Sequence, residues 1–260
     1  MKSLFVRCAI LAAASFAAST AFGNAFSGGN PQPGSLLWNG FSNGSVSVST
    51  NLGTFSAGQF QGFFDPASEG NGIGPDDFFR FFCVDLAHLA VAGPTPYTRI
   101  LGLDGAHDAT DAAELTRLFD MFYPNGATGT YYSGGVQTNF GDFGAGPTSA
   151  QDSAAFQLAI WEIWFDNDMN LSTGSFTAAS SAVTTQAQGY LTAVGNGPTP
   201  AAGWTLYEFI STGNNLSQNY ISVQHLVPLQ QQAPEPGTLI LLGVGALAAW
   251  GTSKRHRKTA

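Results

Sequence analysis

Cys83 and Gln157 are the two residues whose types and surroundings in the sequence could support covalent chemistry. Cys83 lies in the aromatic and β-branched run 78–86, which predicts a strand buried on both faces. In the segment 154–165, only Gln157 and Glu162 are polar, and a helix that is apolar nearly all round is buried. A buried carboxamide without a partner costs about 1–3 kcal/mol. We therefore expect Gln157 to have a specific partner in the core, either a backbone amide or Cys83.

The elements that would position these two residues follow from patterns of alternation, periodicity and helix-start signals. Asp111 to Glu114 resembles a capping box, and Ser149 to Asp152 is a second helix-start signal. The predicted strands are 45–49, 78–86, 97–103 and 218–227, and the predicted helices are 111–122, a second one beginning after Ser149, and a weaker one within 176–194.

The N-terminus is typical of a secretory signal peptide. A positive start with Lys2 and Arg7 precedes an apolar stretch at 8–18 and small residues at 19–25. Cleavage is expected after Gly23 or Ala25, and the apolar stretch is too short for a membrane-spanning anchor.

Removal of this peptide would remove Cys8 and leave Cys83 as the only cysteine of the exported protein. A single cysteine cannot form an intramolecular disulfide, and an exposed free thiol is prone to oxidation. Three interpretations remain open: an inert buried thiol, an intermolecular disulfide, or a thiol engaged in other covalent chemistry.

The C-terminus has three parts: Pro234-Glu235-Pro236, an apolar stretch at 239–250, and a basic cluster of Lys254, Arg255, Arg257 and Lys258. A short apolar segment closed by cations is typical of a stop-transfer signal. This tail resembles the PEP-CTERM sorting signal of Gram-negative bacteria. The resemblance implies an exosortase-type protease as partner, an inner-membrane-anchored precursor, and a final place on the cell surface or in the extracellular matrix.

The two motifs around Cys83 and Gln157 carry a second resemblance. Phe82-Cys83-Val84-Asp85 and Phe156-Gln157-Leu158-Ala159-Ile160-Trp161 are similar to the cysteine strand and glutamine helix of bacterial surface thioester domains, over roughly 36–228. The resemblance implies an internal thioester between Cys83 and Gln157, and attachment to an amine-bearing surface or matrix target. The residues expected to line the site are Phe82, Asp85, Phe156, Trp161 and Glu162. Asp85 and Glu162 could polarise the site or cap neighbouring groups, of which capping is favoured.

These patterns together predict an α+β fold with one domain. A β framework carries two or three inserted helices, flanked by the signal peptide and a C-terminal sorting helix. The expected division is signal peptide 1–25, thioester-domain-like body 26–228, linker 229–236 with the Pro-Glu-Pro motif, and hydrophobic sorting segment with basic tail 237–260.

Charge distribution excludes one class of partner. Residues 24–233 carry sixteen carboxylates against three arginines, a net charge of −13, and no lysine lies between residues 24 and 253. Such an acidic body repels phosphate backbones, so nucleic-acid binding is not expected. In a thioester protein, the absence of lysine would keep one copy from reacting with the ε-amines of another. The low overall charge of the chain explains the lysine count equally well.

Other motifs indicate neither a cofactor nor a catalytic centre. The loop 166–170 alternates oxygen ligands, but Leu171 and Thr177 occupy positions that an EF-hand needs for ligation, so it is predicted as a polar turn with no metal. No Gly-x-Ser-x-Gly and no histidine spacing typical of a metal site occurs. The chain is therefore predicted not to be an enzyme. The alternative to a thioester protein is a non-covalent structural protein of the exopolysaccharide or biofilm matrix.

The sorting signal makes a direct prediction. Protein recovered outside the cell is expected to lack the chain from about Gly237 onward, because processing is expected near the Pro-Glu-Pro motif. Mass spectrometry of C-terminal peptides measures this, and recovery of the 254–258 cluster on surface-exposed protein would contradict it.

Overall fold

The structure is a computed structural model, and ten strands and three helices make up the part of the chain that it describes. The described residues are 30–67, 78–123, 131–133, 136–138, 147–198, 204–213 and 217–225. The strands are β1 (Gln32–Phe41), β2 (Val46–Thr50), β3 (Gly53–Ala57), β4 (Phe60–Pro66), β5 (Phe78–Cys83), β6 (Thr95–Leu101), β7 (Tyr131–Ser133), β8 (Val136–Thr138), β9 (Trp204–Ser211) and β10 (Tyr220–His225). The helices are α1 (Ala109–Phe122), α2 (Ala150–Phe165) and α3 (Ala182–Asn196).

Six of these strands close into an antiparallel barrel in the order β1-β4-β5-β10-β9-β6, with β1 paired to both β4 and β6. Closure leaves no strand of this sheet at an edge. Two separate hairpins, β2-β3 and β7-β8, lie outside the barrel.

The barrel interior is an aromatic core, which we call the inner core. Its members come from the barrel strands alone, as expected where alternate side chains point inward. Neighbouring rings meet at short range, for example Phe79 and Phe81 with centroids 4.6 Å apart. The buried members are Leu36, Phe60, Phe64, Phe79, Phe81, Cys83, Tyr97, Phe209 and Tyr220.

A second, outer core lies between the barrel and the helices. Helix α2 is at its centre and is buried continuously from Ser153 to Ile163, because it contacts β5, the β2-β3 hairpin and the other two helices. The residues of β5 alternate between the two cores, with Phe81 and Cys83 inside the barrel and Phe82 facing the helices. Strand β5 therefore connects the inner core to α2.

The prediction of an α+β fold with a β framework and inserted helices is confirmed, since all three helices lie between β6 and β9. The strands predicted at 45–49, 97–103 and 218–227 correspond to β2, β6 and β10. The barrel itself, and strands β1, β3, β4 and β9, were not predicted.

Three predicted boundaries were wrong. Helix α1 begins at an N-cap of Asp108, with Asp111 at the third helical position of the capping box, so the box lies three residues before the predicted one. Strand β5 ends at Cys83, short of residue 86. Helix α3 begins after Ser181, whose side chain accepts a hydrogen bond from the Thr184 N–H, so the first residues of 176–194 are not helical.

The predicted signal peptide 1–25, linker 229–236 and sorting segment 237–260 lie outside the described residues.

Close packing between β1 and β4 makes a prediction about stability. A Cβ atom at Gly62 would meet the Leu37 carbonyl oxygen and, at 3.1 Å, the ring of Phe81. Gly62→Ala is therefore expected to lower the free energy of unfolding by about 1–3 kcal/mol. Gly189 in α3 has open space around it, so Gly189→Ala is expected to raise that free energy by about 0.5–1 kcal/mol. Urea denaturation measures both, and equal effects of the two substitutions would contradict the packing argument.

Candidate functional site

Cys83 lies at the end of β5, beyond the last residue pair between β5 and β4. Strand β4 pairs with β5 only as far as Phe60 opposite Phe81. On the other side, Cys83 is opposite Tyr220 of β10, and the Val84 N–H donates to the Asn219 carbonyl. Antiparallel strands alternate their hydrogen bonds, so the N–H and C=O of Cys83 point away from β10. The two groups need partners from elsewhere.

Gln157 supplies those partners. Its Oε1 accepts from the Cys83 N–H at 3.0 Å, and its Nε2 donates to the Cys83 carbonyl at 2.7 Å. The carboxamide thereby takes the place of a neighbouring strand beside Cys83, where β4 no longer pairs with β5. Gln157 is fully buried. Trp161, one turn further along α2, donates from Nε1 to the same carbonyl at 3.0 Å. Of the two alternatives predicted, a backbone amide or Cys83 itself, the hydrogen bonds of Gln157 are to backbone groups, and these groups belong to Cys83.

The Cys83 side chain points into the inner core and is 1% exposed. Its Sγ donates to the backbone carbonyl of Asp85 at 3.0 Å. The pKa of this thiol is raised to about 12, and burial is the largest of the several causes. The group is therefore a neutral thiol at physiological pH. Cys83 is equally buried in every copy of the protein, so two such sulfurs cannot meet, which argues against an intermolecular disulfide.

Phe82 and Phe156 are two of the predicted lining residues, and they meet on the helix-facing side of β5, with ring centroids 5.0 Å apart. Both are at most 1% exposed. They seal the outer side of the strand and do not contribute to the inner core around the thiol.

Asp85 and Glu162 occupy different surroundings. The Asp85 carboxylate accepts from the backbone N–H groups of Ala87 and His88 and lies 2.6 Å from His88 Nδ1, so it caps the turn after β5. Glu162 Oε1 accepts from the Asn170 N–H at 3.1 Å. Both side chains cap neighbouring backbone groups.

A cleft of about 440 Å³ opens beside the end of β5. Asp85, whose carbonyl accepts from the thiol, forms part of its wall. Two more carboxylates, Asp104 and Glu208, line it, and His107 stacks on Trp164 at 3.7 Å between ring centroids. The cleft is thus acidic and partly aromatic. Its other lining residues are Leu52, Phe55, Val84, Leu86, Ala87, Phe165 and Asn219.

Glu208 is the most buried carboxylate of this cleft, at 1% exposure. Its Oε2 accepts from the Asp104 N–H at 2.7 Å, but desolvation dominates and raises its pKa to about 7. Glu208 is not among the residues predicted from the sequence. The available signal was a carboxylate in a strand that is otherwise mostly apolar and aromatic.

Two comparisons with known proteins give a match, one for the C-terminal motif and one for most of the chain. Residues 232–257 match the family model of the PEP-CTERM protein-sorting motif. The chain therefore carries this motif, and it is an exported protein of the kind that exosortase processes in Gram-negative bacteria. Pro234, Glu235, Pro236 and the basic cluster of Lys254, Arg255, Arg257 and Lys258 all fall at or next to the match, outside the described residues.

One solved structure is similar to the chain: the N-terminal domain of the pilus tip adhesin Cpa from Streptococcus pyogenes. The sequence identity is 14%, the TM-score is 0.41, and the match covers 77% of this chain and 97% of that one. No curated protein matches the chain significantly.

Membrane insertion was predicted for the apolar stretch 239–250, which the structure does not describe. Among the residues that it does describe, we find no helix with the length and apolar character needed to cross a bilayer.

The Gln157 contacts predict a specific cost of substitution. Gln157→Ala leaves the Cys83 N–H buried without an acceptor, although Trp161 still bonds the carbonyl. The free energy of unfolding is expected to fall by about 1–3 kcal/mol, measured by urea denaturation. An unchanged stability would show that the pairing contributes nothing to the fold.

The Glu208 environment predicts a pH dependence. The folded protein keeps this proton up to about pH 7, whereas the unfolded chain releases it near the ordinary pKa of 4.5. Stability is therefore expected to decrease as the pH rises from about 4.5 to about 7. Glu208→Gln is expected to make the decrease smaller, leaving the contribution of Glu162, whose pKa burial raises to about 8. An identical pH profile in this variant, measured by urea denaturation at several pH values, would refute the assignment.

Proposed function

We propose that this exported protein forms an internal thioester between Cys83 and Gln157 and uses it to attach covalently to amines. The proposal rests on one observation: the fully buried Gln157 carboxamide forms two hydrogen bonds with the backbone of Cys83, the only cysteine of the body. The thiol sulfur attacks Gln157 Cδ, the Cδ–Nε2 bond breaks, and the thiol proton leaves with the nitrogen as ammonia. A primary amine then displaces the sulfur, which gives an amide at Gln157 and restores the Cys83 thiol.

The hydrogen bonds at the carboxamide favour the first step. Attack on Cδ develops negative charge on Oε1, which already accepts from the Cys83 N–H at 3.0 Å. A donor in place before reaction stabilises such charge without reorganisation. Loss of ammonia removes the Nε2 donor from the Cys83 carbonyl, but Trp161 Nε1 continues to donate to it. Neither backbone group of Cys83 is left unpaired after the reaction.

Exclusion of water favours survival of the bond. Cys83 and Gln157 are each at most 1% exposed, and the rings of Phe82 and Phe156 cover the strand between the cores. A thioester hydrolyses when water reaches its carbonyl, so a dry site lengthens its lifetime.

The acidic cleft supports an amine as the partner group. The carboxylates of Asp85 and Asp104 line it and attract an ammonium ion, and Glu208 is buried in the same wall. An amine reacts only after it loses its extra proton. Glu208, with a pKa raised to about 7, is suited to accept that proton near neutral pH.

The composition supports a surface role for such a bond. The body lacks lysine from residue 24 to 253, so neighbouring copies offer no ε-amine to each other. We place the function at the cell surface or in the extracellular matrix, with a lysine-bearing matrix or surface molecule as target. Each protein molecule reacts once, so the role is adhesive and non-enzymatic. We retain the division into signal peptide 1–25, body 26–228, linker 229–236 and sorting segment 237–260.

A second candidate is a non-covalent structural protein of the extracellular matrix. It is favoured by the neutral state of the thiol, whose pKa burial raises to about 12, and by the complete pairing of the Gln157 carboxamide with backbone. In that case the carboxamide serves the fold alone.

Intact mass of the purified protein separates the two candidates. A thioester lowers the mass of the wild type by one ammonia, and methylamine then adds its full mass as a methylamide on Gln157, which leaves the protein one CH2 heavier than the unreacted chain. Gln157→Ala and Cys83→Ala are expected to show neither change. Gln59→Ala is the matched control, because Gln59 is an equally buried glutamine that bonds Tyr123 instead. The unmodified mass in freshly purified wild type would refute the proposal and leave the structural role.

The missing lysines give a further prediction. Ser47 is exposed on β2, and Ser47→Lys is expected to produce covalent oligomers that persist in denaturing gels. Ser47→Arg matches the charge without a nucleophilic amine and is expected to stay monomeric, as is Ser47→Lys combined with Cys83→Ala. If Ser47→Lys stays monomeric while methylamine still reacts, the absence of lysine has no functional meaning.

A further inference from the structure

Three carboxylates converge where α2 ends, away from Cys83. Glu162 lies in the last turn of the helix, and Asp166 and Asp168 follow it in the turn. One oxygen of each lies within 4.8 Å of the others. Like charges at this separation repel each other, so the arrangement favours either a bound cation or a proton held between the carboxylates.

Glu162 provides an independent indication that something is bound there. It is fully buried, and its Oε1 accepts from the Asn170 N–H at 3.1 Å. Its other oxygen, Oε2, is also buried but accepts no hydrogen bond from any described residue. A buried carboxylate oxygen without a partner is costly.

The other two carboxylates are held in place by donors that occupy only part of their lone pairs. Asp166 Oδ2 accepts from the Phe176 N–H, and Asp168 accepts from the Asn170 N–H and the Thr173 hydroxyl. Gly174 is required beside Asp166, because a Cβ atom there would collide with its carboxylate. Neither ion pair found among the described residues involves this group. Within the described part of the chain, therefore, no basic side chain compensates these carboxylates.

We propose that Glu162, Asp166 and Asp168 bind a divalent cation, with calcium as the best match. All three ligands are hard oxygen donors, and no nitrogen or sulfur ligand adjoins them in the described cluster. Calcium accepts six to eight oxygens in irregular geometry, so bidentate carboxylates and water complete its shell. Asp168 is exposed, which gives the ion and its waters a way in. Calcium sites of extracellular modules have dissociation constants of about 0.1–1 mM, and the same range is expected here.

The site would act on the fold through α2. Glu162 belongs to the helix that holds Gln157 and Trp161, whereas Asp166 and Asp168 belong to the turn after it. A bound ion would fix the C-terminal end of this helix to the turn. This proposal differs from the prediction that 166–170 is a polar turn without metal, and it does not depend on whether the thioester forms.

Terbium luminescence tests the site in the protein purified as exported. Terbium substitutes for calcium, and Trp161 and Trp164 beside Glu162 in the sequence serve as sensitisers. The expected result is saturable emission that calcium displaces at about 0.1–1 mM, together with a calcium-dependent rise in melting temperature. Glu162→Gln and Asp168→Asn are each expected to abolish both effects.

Two features keep the test decisive. Asp168 is exposed, so Asp168→Asn leaves the core intact even if Glu162→Gln fails to fold. Asp152→Asn, at the opposite end of the same helix, is the matched control and is expected to bind normally. Absence of saturable emission in the wild type, or loss of binding in the control, would overturn the proposal. A proton shared by Glu162 and Asp168 would then provide the compensation, and Glu162→Gln would stabilise the protein equally with and without calcium.

Discussion

The bonding of the Gln157 carboxamide to the Cys83 backbone is the interaction on which the arrangement depends. Strand β5 continues past the end of β4 and exposes a peptide N–H and C=O inside the protein. Only a group that donates and accepts side by side satisfies both, and a primary carboxamide has that geometry. Helix α2 must therefore pack beside the end of β5 with Gln157 level with Cys83. Its apolar character follows, because a helix held there is enclosed by β5, the β2-β3 hairpin and the other helices.

The local elements were predictable from the sequence, but the barrel was not. Runs such as 154–165 specify a buried helix because nearly every position is apolar. Strand β1 begins with Gln32-Pro33-Gly34-Ser35 and shows little alternation, although it closes the sheet by pairing with both β4 and β6. That closure depends on pairing between distant residues, such as Gln32 with Arg99, and periodicity within one strand carries no information about it.

The candidate site was likewise predictable only in part. A lone glutamine in an apolar helix and a lone cysteine in an aromatic strand indicated a buried pair, and the structure brings their residues together. The cleft was missed because its carboxylates lie far apart in the sequence, at 85, 104 and 208. The sequence shows Asp166 and Asp168 of the acidic group at the end of α2, but their loop does not have the ligand spacing of an EF-hand. The buried member of this group, Glu162, belongs to the preceding helix and lies outside that motif's spacing.

Strand β10 connects the level of Cys83 with the part of the chain that leads to the C-terminal segment. It starts with Tyr220 beside Cys83, pairs with β5 as far as Ile221, and continues along β9 to His225, five residues beyond Tyr220. At about 3.3 Å per residue, the chain leaves the barrel some 17 Å from the level of Cys83. The sorting motif begins soon afterwards, at residue 232. In a molecule tethered through its C-terminal segment, the tether therefore joins β10 at the end remote from Cys83.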